Sequence, residues 1–301
     1  MGWKATQLPD LSGRTAVVTG ANSGIGFHAA KALAAHGSRV VLACRNVQSG
    51  EAAAAAIGAG DAVRVAQLDL ASAASVRAFA ESWSGPLDLL INNAGVMWPP
   101  KLSFTEDGFE KQFGTNHLGH FVLTGLLLPS LAASGSGRVV TVASVAHFGG
   151  TEAVLDGNVG EGYHPQRTYQ NSKLANLLFA LELHRELTAH GLPVTSTAAH
   201  PGVSATGLFS DKEGLGASPF LRVAASALTK VFTQSAKAGA RATLYAATEA
   251  EPGSYTGPQR FGETRGPIGP ARLSSYAQDE KLARRLWQVS EEMTGLRYDW
   301  S

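Results

Sequence analysis

In the run YQNSK, Tyr169 and Lys173 stand four residues apart. On a helix that spacing puts both side chains on one face, about one turn apart. A lysine ammonium beside a phenol favours the phenolate, so the tyrosine pKa is expected to fall from its ordinary value near ~10. A phenol tuned toward neutrality can give or take a proton at a carbonyl or carbinol oxygen. Helices that do no chemistry carry the same spacing, so the pair takes its meaning from the rest of the chain.

A second group of residues suits a phosphate. TGANSGIG places Gly20, Gly24 and Gly26 around Asn22, Ser23 and Ile25, between an apolar β-type run and a helical pattern. Glycines there permit a tight turn and close backbone approach, with helix-terminal N–H groups facing a pyrophosphate. With 34 glycines in the chain, the placement carries the inference rather than the residue type. Farther on, VVLACRN ends a second apolar run without an acid for ribose hydroxyls, and Arg45 follows directly. A guanidinium suits bidentate recognition of a 2′-phosphate, so NADP(H) is expected ahead of NAD(H). Arg39, at the start of that run, is less suited to reach a cofactor.

The elements that must hold these groups alternate along the chain. Apolar runs at Thr15–Thr19, Arg39–Ala43, Val63–Leu68, Leu87–Ile91, Arg138–Val142 and Val194–Ala198 read as strands buried on both faces. Between them lie helical patterns at Ile25–His36, Val47–Ile57, Ala73–Trp83, Thr105–Leu131 and Tyr169–His190, and Asp279–Met293 forms an amphipathic last helix. The alternation predicts an α/β, single-domain Rossmann fold over residues 1–301, a doubly wound parallel sheet of about seven strands flanked by helices. Residues 148–168 read as a long loop and residues 204–234 as a lid over a pocket. Residues 253–301 form a C-terminal extension whose Gly- and Pro-rich first part is expected near the active site or a partner. Ser144 falls at the carboxyl end of the fifth strand, where open α/β sheets bind ligands and a hydroxyl can hold a substrate oxygen.

TGxxxGxG, NNAG (Asn92–Gly95) and YxxxK together resemble the short-chain dehydrogenase/reductase family. VVLACRN, TNHLGHF and NSKLAN are most similar to its retinol dehydrogenase and protochlorophyllide reductase-like branch. The resemblance implies a catalytic set of Asn116, Ser144, Tyr169 and Lys173. Ser144 and Tyr169 bind the substrate oxygen, Tyr169 moves the proton, and Lys173 holds the nicotinamide ribose. Asn116 supports a water chain to the lysine. It further implies that Asp69, with Leu70 beside it, lies at the adenine, although an Asp after a strand is also a helix N-cap candidate. Asn93, Ala94 and Gly95 line the nicotinamide ribose side. Pro201, Gly202 and Val203 shape the turn at the nicotinamide, and Thr206 contacts its carboxamide.

His117 and His120 beside Asn116 read as structural or surface histidines. His147 and Arg167 are the polar candidates nearest the pocket, and Met97, Trp98 and Val145–Phe148 favour an apolar carbonyl compound or alcohol as substrate. The alternatives are a cofactor-binding scaffold without turnover, which commonly lacks the tyrosine or lysine, and an epimerase or dehydratase, whose glycine pattern differs.

A net charge of +1 points to no nucleic acid or anionic membrane, and the sole cysteine, Cys44, excludes an internal disulfide. There is no metal-ligand spacing, no apolar run of membrane-spanning length and no signal-peptide pattern at the start. The branch's N-terminal membrane anchor is not expected here. A cytoplasmic enzyme assembling as a homodimer or homotetramer is the expectation.

Overall fold

The computed structural model describes residues 2–157, 162–202, 204–205 and 234–300. Its main sheet contains β1 (Thr15–Thr19), β2 (Arg39–Cys44), β3 (Val63–Gln67), β4 (Leu89–Asn92), β5 (Gly137–Val142), β6 (Val194–Ala199), β7 (Tyr255–Arg260) and β8 (Arg265–Pro270). The order across the sheet is β8-β7-β6-β5-β4-β1-β2-β3. Every pairing is parallel except the antiparallel hairpin β7–β8. Side chains alternate across each strand, so Val18, Val40 and Leu42 enter the core on one face while Val17, Val41 and Ala43 enter the core on the other.

Helices α1 (Gly24–Ala35), α2 (Val47–Ile57) and α6 (Ala236–Thr248) cover the first face. Helices α3 (Ala73–Glu81), α4 (Gly119–Ala133) and α5 (Pro165–Ala189) cover the second, with α7 (Glu280–Thr294) laid over α5. Trp287 of α7 stacks on Phe179 of α5 at 5.8 Å and meets Phe121 of α4 edge-on at 5.1 Å. The apolar outer side of α5 is thus buried within the chain. Leu33, Leu42, Leu90 and Leu127 are fully buried, and cutting any of them to alanine costs about 2–5 kcal/mol.

The sheet has eight strands where about seven were expected, because the Gly- and Pro-rich stretch after residue 253 folds into a hairpin. Proline and glycine weaken strand character, but β8 is the edge strand and tolerates them. The helix expected from Thr105 begins instead at Lys111, since the Glu110 carboxylate accepts from the amides of Gln112 and Phe113 and starts it there. A π-helical turn, Gly114–Leu118, then leads into α4. The tyrosine-bearing helix starts earlier than expected, at Pro165, whose ring suits the first helical position. The loop before it holds two 3-10 turns, Val145–Gly149 and Glu152–Asp156. Ser204–Ala205 pairs in parallel with Gln234–Ser235, and residues 206–233 of the expected lid lie outside the described residues.

Candidate active site

The chain reverses direction across the sheet between β1 and β4, and the crevice there opens at the strands' carboxyl ends. Gly20 (φ +65°) and Gly24 (φ +60°) make the turn from β1 into α1. A Cβ on Gly20 would sit 3.0 Å from Ala94, and one on Gly26 would sit 2.5 Å from Asn93 Nδ2, so these glycines let the turn close on the NNAG segment. Thr19 Oγ1 accepts from the amides of Asn93 and Ala94, both at 2.9 Å, and Asn93 Nδ2 donates to the Thr19 carbonyl. The end of β2 is tied to the same turn. Gly20 N donates to Ala43 O at 2.8 Å, and the Cys44 thiol takes bonds from the amides of Asn22 and Ala21. Burial still pushes that thiol up to about 11. Arg45, the next residue, is exposed beside the turn and makes an interaction of its own.

The residues fit a dinucleotide. Ser23 caps α1 in extended conformation without a side-chain bond to the helix, which leaves the first-turn N–H groups of α1 unclaimed by it. Asp69 is half-buried and turns one carboxylate oxygen onto its own loop, accepting from Ala71 N at 2.9 Å. Leu70 is buried against Gly119, where a Cβ would run into the Leu70 carbonyl.

The reacting groups meet between β5 and α5. Ser144 follows β5 and hydrogen-bonds the Tyr169 phenol, and its hydroxyl also accepts from Ala146 N at 3.1 Å. Lys173 Nζ lies 5.8 Å from the Tyr169 ring centroid and donates to Val142 O at 3.1 Å. Asn176 Nδ2 donates to the same carbonyl.

Burial pushes Tyr169 up to about 12, with the Ser144 bond pulling the other way, and it pushes Lys173 down to about 8. This reverses the lowered tyrosine pKa expected from spacing alone. Both groups are desolvated, and the ammonium is committed to a carbonyl rather than to the phenol oxygen. Tyr169 is therefore a phenol at neutral pH, the form that donates a proton.

Asn116 stands in the π-helical turn with its side chain fully engaged. Its Oδ1 accepts from Val96 N at 2.8 Å, and its Nδ2 donates to Val96 O and Ser172 Oγ, each at 3.0 Å. A Cβ on Gly95 would come within 3.1 Å of Asn116 Oδ1 and 3.6 Å of Lys173 Nζ, so that glycine makes room for both side chains. The side chain clamps the Val96 backbone. π-Helical turns occur often at functional sites.

Two expectations for histidines and one for an arginine are corrected or refined. His117 and His120 are buried, which selects the structural reading over the surface one, and desolvation pushes them down to about 3 and about 4, so both are neutral. His147 is fully buried and donates from Nδ1 to Ser144 O at 2.7 Å instead of facing the pocket as a polar lining. Arg167 is exposed and donates to Gly162 O. Trp98 forms the aromatic wall, edge-on to Tyr169 with centroids 6.4 Å apart. Its φ of +56° is uncommon for a bulky residue, and its amide is held by Gln112 Oε1 at 2.9 Å. Pro201 and Gly202 (φ +70°) follow β6 at the same end of the sheet, while Val203 and Thr206 lie outside the described residues. Among the described residues no His, Cys, Asp or Glu group is arranged to hold a metal, and no helix is long and apolar enough to cross a membrane.

Residues 14–214 match the family model described as short chain dehydrogenase. The chain belongs to that family. Its members move a hydride to or from a nicotinamide cofactor, and this protein is an oxidoreductase of that kind. It is 43% identical over 299 residues to mouse polyprenol dehydrogenase, covering 96% of this chain and 86% of the relative. Human retinol dehydrogenase 12 is 40% identical over 299 residues, covering 96% and 89%. A crystal structure of an uncharacterized protein from Mycobacterium paratuberculosis superimposes with a TM-score of 0.83 at 44% identity, covering 99% of this chain and 100% of that one. The RhlG/NADP active-site complex of Pseudomonas aeruginosa matches with a TM-score of 0.63 at 26% identity, over 82% of this chain and 94% of that chain.

Within this short-chain dehydrogenase, sequence reasoning passed over Thr19 and His200, and it gave His120 and His147 no part in tying the site together. His120 had a signal, since it lies four residues after Asn116 on one helical face. His147 and His200 touch partners more than 60 residues away in the chain, and no local spacing reports that.

Proposed function

We propose that this oxidoreductase uses NADP(H) and acts on an apolar carbonyl compound or the corresponding primary or secondary alcohol, with Tyr169 as general acid and base. The observation that carries the reading is the buried Tyr169 phenol paired with half-buried Ser144 at the end of β5, walled by Trp98. When bound, the nicotinamide supplies or accepts the hydride. In reduction, the Ser144 and Tyr169 hydroxyls bind the substrate oxygen, and Tyr169 gives its proton to that oxygen as the carbon gains hydride. The Lys173 ammonium, 5.8 Å from the ring, stabilises the phenolate left behind. Oxidation runs the same transfers in reverse.

Arg45 beside the glycine turn supports the 2′-phosphate. The apolar substrate class draws support from Trp98, from half-exposed Phe148 and from two relatives named for polyprenol and retinol, both apolar alcohols. Assembly as a homodimer or homotetramer and a cytoplasmic location belong to the same proposal and are open to light scattering and fractionation.

A panel of apolar aldehydes and ketones with NADPH, followed at the reduced-nicotinamide absorbance, tests the reaction. Tyr169→Phe is expected to lower kcat about 10²–10⁴-fold while leaving NADPH affinity and melting temperature close to wild type. A Tyr169→Phe enzyme with full turnover ends the assignment.

A further inference from the structure

The C-terminal hairpin reaches back into the reaction centre through two buried histidines. His200, at the end of β6 and directly before Pro201–Gly202, has no exposed surface. Its Nδ1 accepts from Gly202 N at 3.2 Å, which places the ring proton on Nε2. Nε2 lies 3.4 Å from Glu263 Oε2 in the β7–β8 turn. Among the described residues neither atom has a properly aligned partner, and a small rotation of either group completes a bond between them.

Glu263 is itself unusual. It is a buried carboxylate on a residue with φ +63°, and its Oε1 accepts from Arg272 N at 3.0 Å and Arg272 Nε at 3.2 Å. A non-glycine residue in that conformation is strained, and such strain persists where surrounding contacts demand it. Gly257 of β7 lies against the other side of the same ring, and a Cβ there would fall inside the imidazole.

His147 repeats the arrangement on the serine side. It donates to Ser144 O and accepts from Ser274 N at 3.3 Å, beyond the hairpin. The Tyr255 ring lies between the two histidines, 5.3 Å from His200 and 5.5 Å from His147.

We propose that Glu263, acting through His200, is a positioning residue that sets the Pro201–Gly202 turn at the nicotinamide end of the site. The inference rests on the functional reading above, which places the cofactor across the β1–β4 crevice. Glu263 Oε1 receives two donors from Arg272, and Oε2 faces the Nε2–H of His200 at 3.4 Å. Glu263→Gln keeps the volume but offers one acceptor oxygen, and it turns an amide N–H toward His200 Nε2–H. The turn then loses its anchor without loss of packing.

Binding of NADPH by fluorescence, binding of 2′,5′-ADP by calorimetry, kcat and thermal unfolding are measured on wild type, Glu263→Gln and Gly257→Ala. The alanine variant intrudes on the same imidazole from β7. We expect both variants to lose about tenfold in NADPH affinity and in kcat, while 2′,5′-ADP, which occupies the adenine half alone, binds within twofold of wild type. Glu263→Gln that keeps NADPH affinity and kcat within twofold overturns the proposal. So does a parallel loss of 2′,5′-ADP binding, which marks a general loosening rather than positioning. A wild-type protein that binds neither ligand defeats the functional reading first, whereas normal wild-type binding with an unaffected Glu263→Gln defeats this inference alone.

Discussion

His120 donates from Nδ1 to the carbonyl oxygen of Asn116 at 2.9 Å, one turn back along its own helix. That leaves Nε2 as an acceptor, and the Thr19 hydroxyl donates to it at 2.9 Å. One neutral imidazole therefore joins the end of β1, from which the glycine turn springs, to the π-helical turn that carries Asn116. Its neutrality keeps that acceptor, because a charged ring has none for Thr19.

Replacing His120 by leucine removes both bonds in a buried place. Each group left without a partner costs about 1–3 kcal/mol. The urea midpoint is expected to fall accordingly, and kcat to drop about tenfold as Asn116 and the Val96 segment lose their register. A variant with wild-type midpoint and turnover would show that the link carries no energy.

Lys173 predicts opposite trends in activity and stability with pH. Its folded value of about 8 lies below the ordinary 10.5, so the ammonium survives below about 8 and is lost above it. Carbonyl reduction should be level up to that point and fall beyond it, because the phenolate left after proton transfer loses its countercharge. Between about 8 and 10.5 the unfolded chain binds the extra proton, so this group's contribution makes the folded state more stable as pH rises. A falling rate while stability holds or rises separates loss of charge from unfolding. In Lys173→Arg, whose charge persists, the falling limb should vanish from whatever activity remains.

Acid should unfold the protein early. His117, His120 and His200 are pushed by burial from 6.5 to about 3, about 4 and about 3. Unfolded, each takes a proton below about 6.5; folded, each resists until far lower pH. Stability is therefore full above 6.5 and falls as pH drops below it, by on the order of 1 kcal/mol per pH unit for each histidine. Urea titrations at pH 7, 6 and 5 measure the slope. His117→Gln, which can keep a donor toward Ser290 Oγ, 2.8 Å from His117 Nε2, should make it shallower.

Arg45→Ala should weaken NADPH binding by about 10–100-fold, the worth of a charge-assisted bond of about 1.5–3 kcal/mol, and leave NADH binding within about twofold. Equal losses for both cofactors, read by fluorescence titration, would remove Arg45 from the 2′-phosphate.

The legible parts of this protein were the ones whose causes are local. The first six strands and the helices α1, α2 and α3 follow from apolar periodicity and lie within two residues of their expected bounds, because burial on both faces writes itself into contiguous Val, Ile and Leu. The start of the helix before β5 was misplaced because Glu110 is recognisable as a cap only once its carboxylate is seen turned onto the amides of Gln112 and Phe113. The hairpin β7–β8 was missed because proline and glycine obscure strand character at a sheet edge.

The sequence alone determined the doubly wound α/β class and the glycine turn, since each depends on spacing within one element or at one junction, and it singled out Asn116, Ser144, Tyr169 and Lys173 through the family resemblance. Only the tertiary structure decided what those residues experience. Desolvation reverses the expected shift of Tyr169, and Asn116 spends its side chain on Val96. Histidines that looked incidental become the ties between distant strands. Burial and long-range hydrogen bonds arise from the packing of elements far apart in the chain, and no local spacing encodes them.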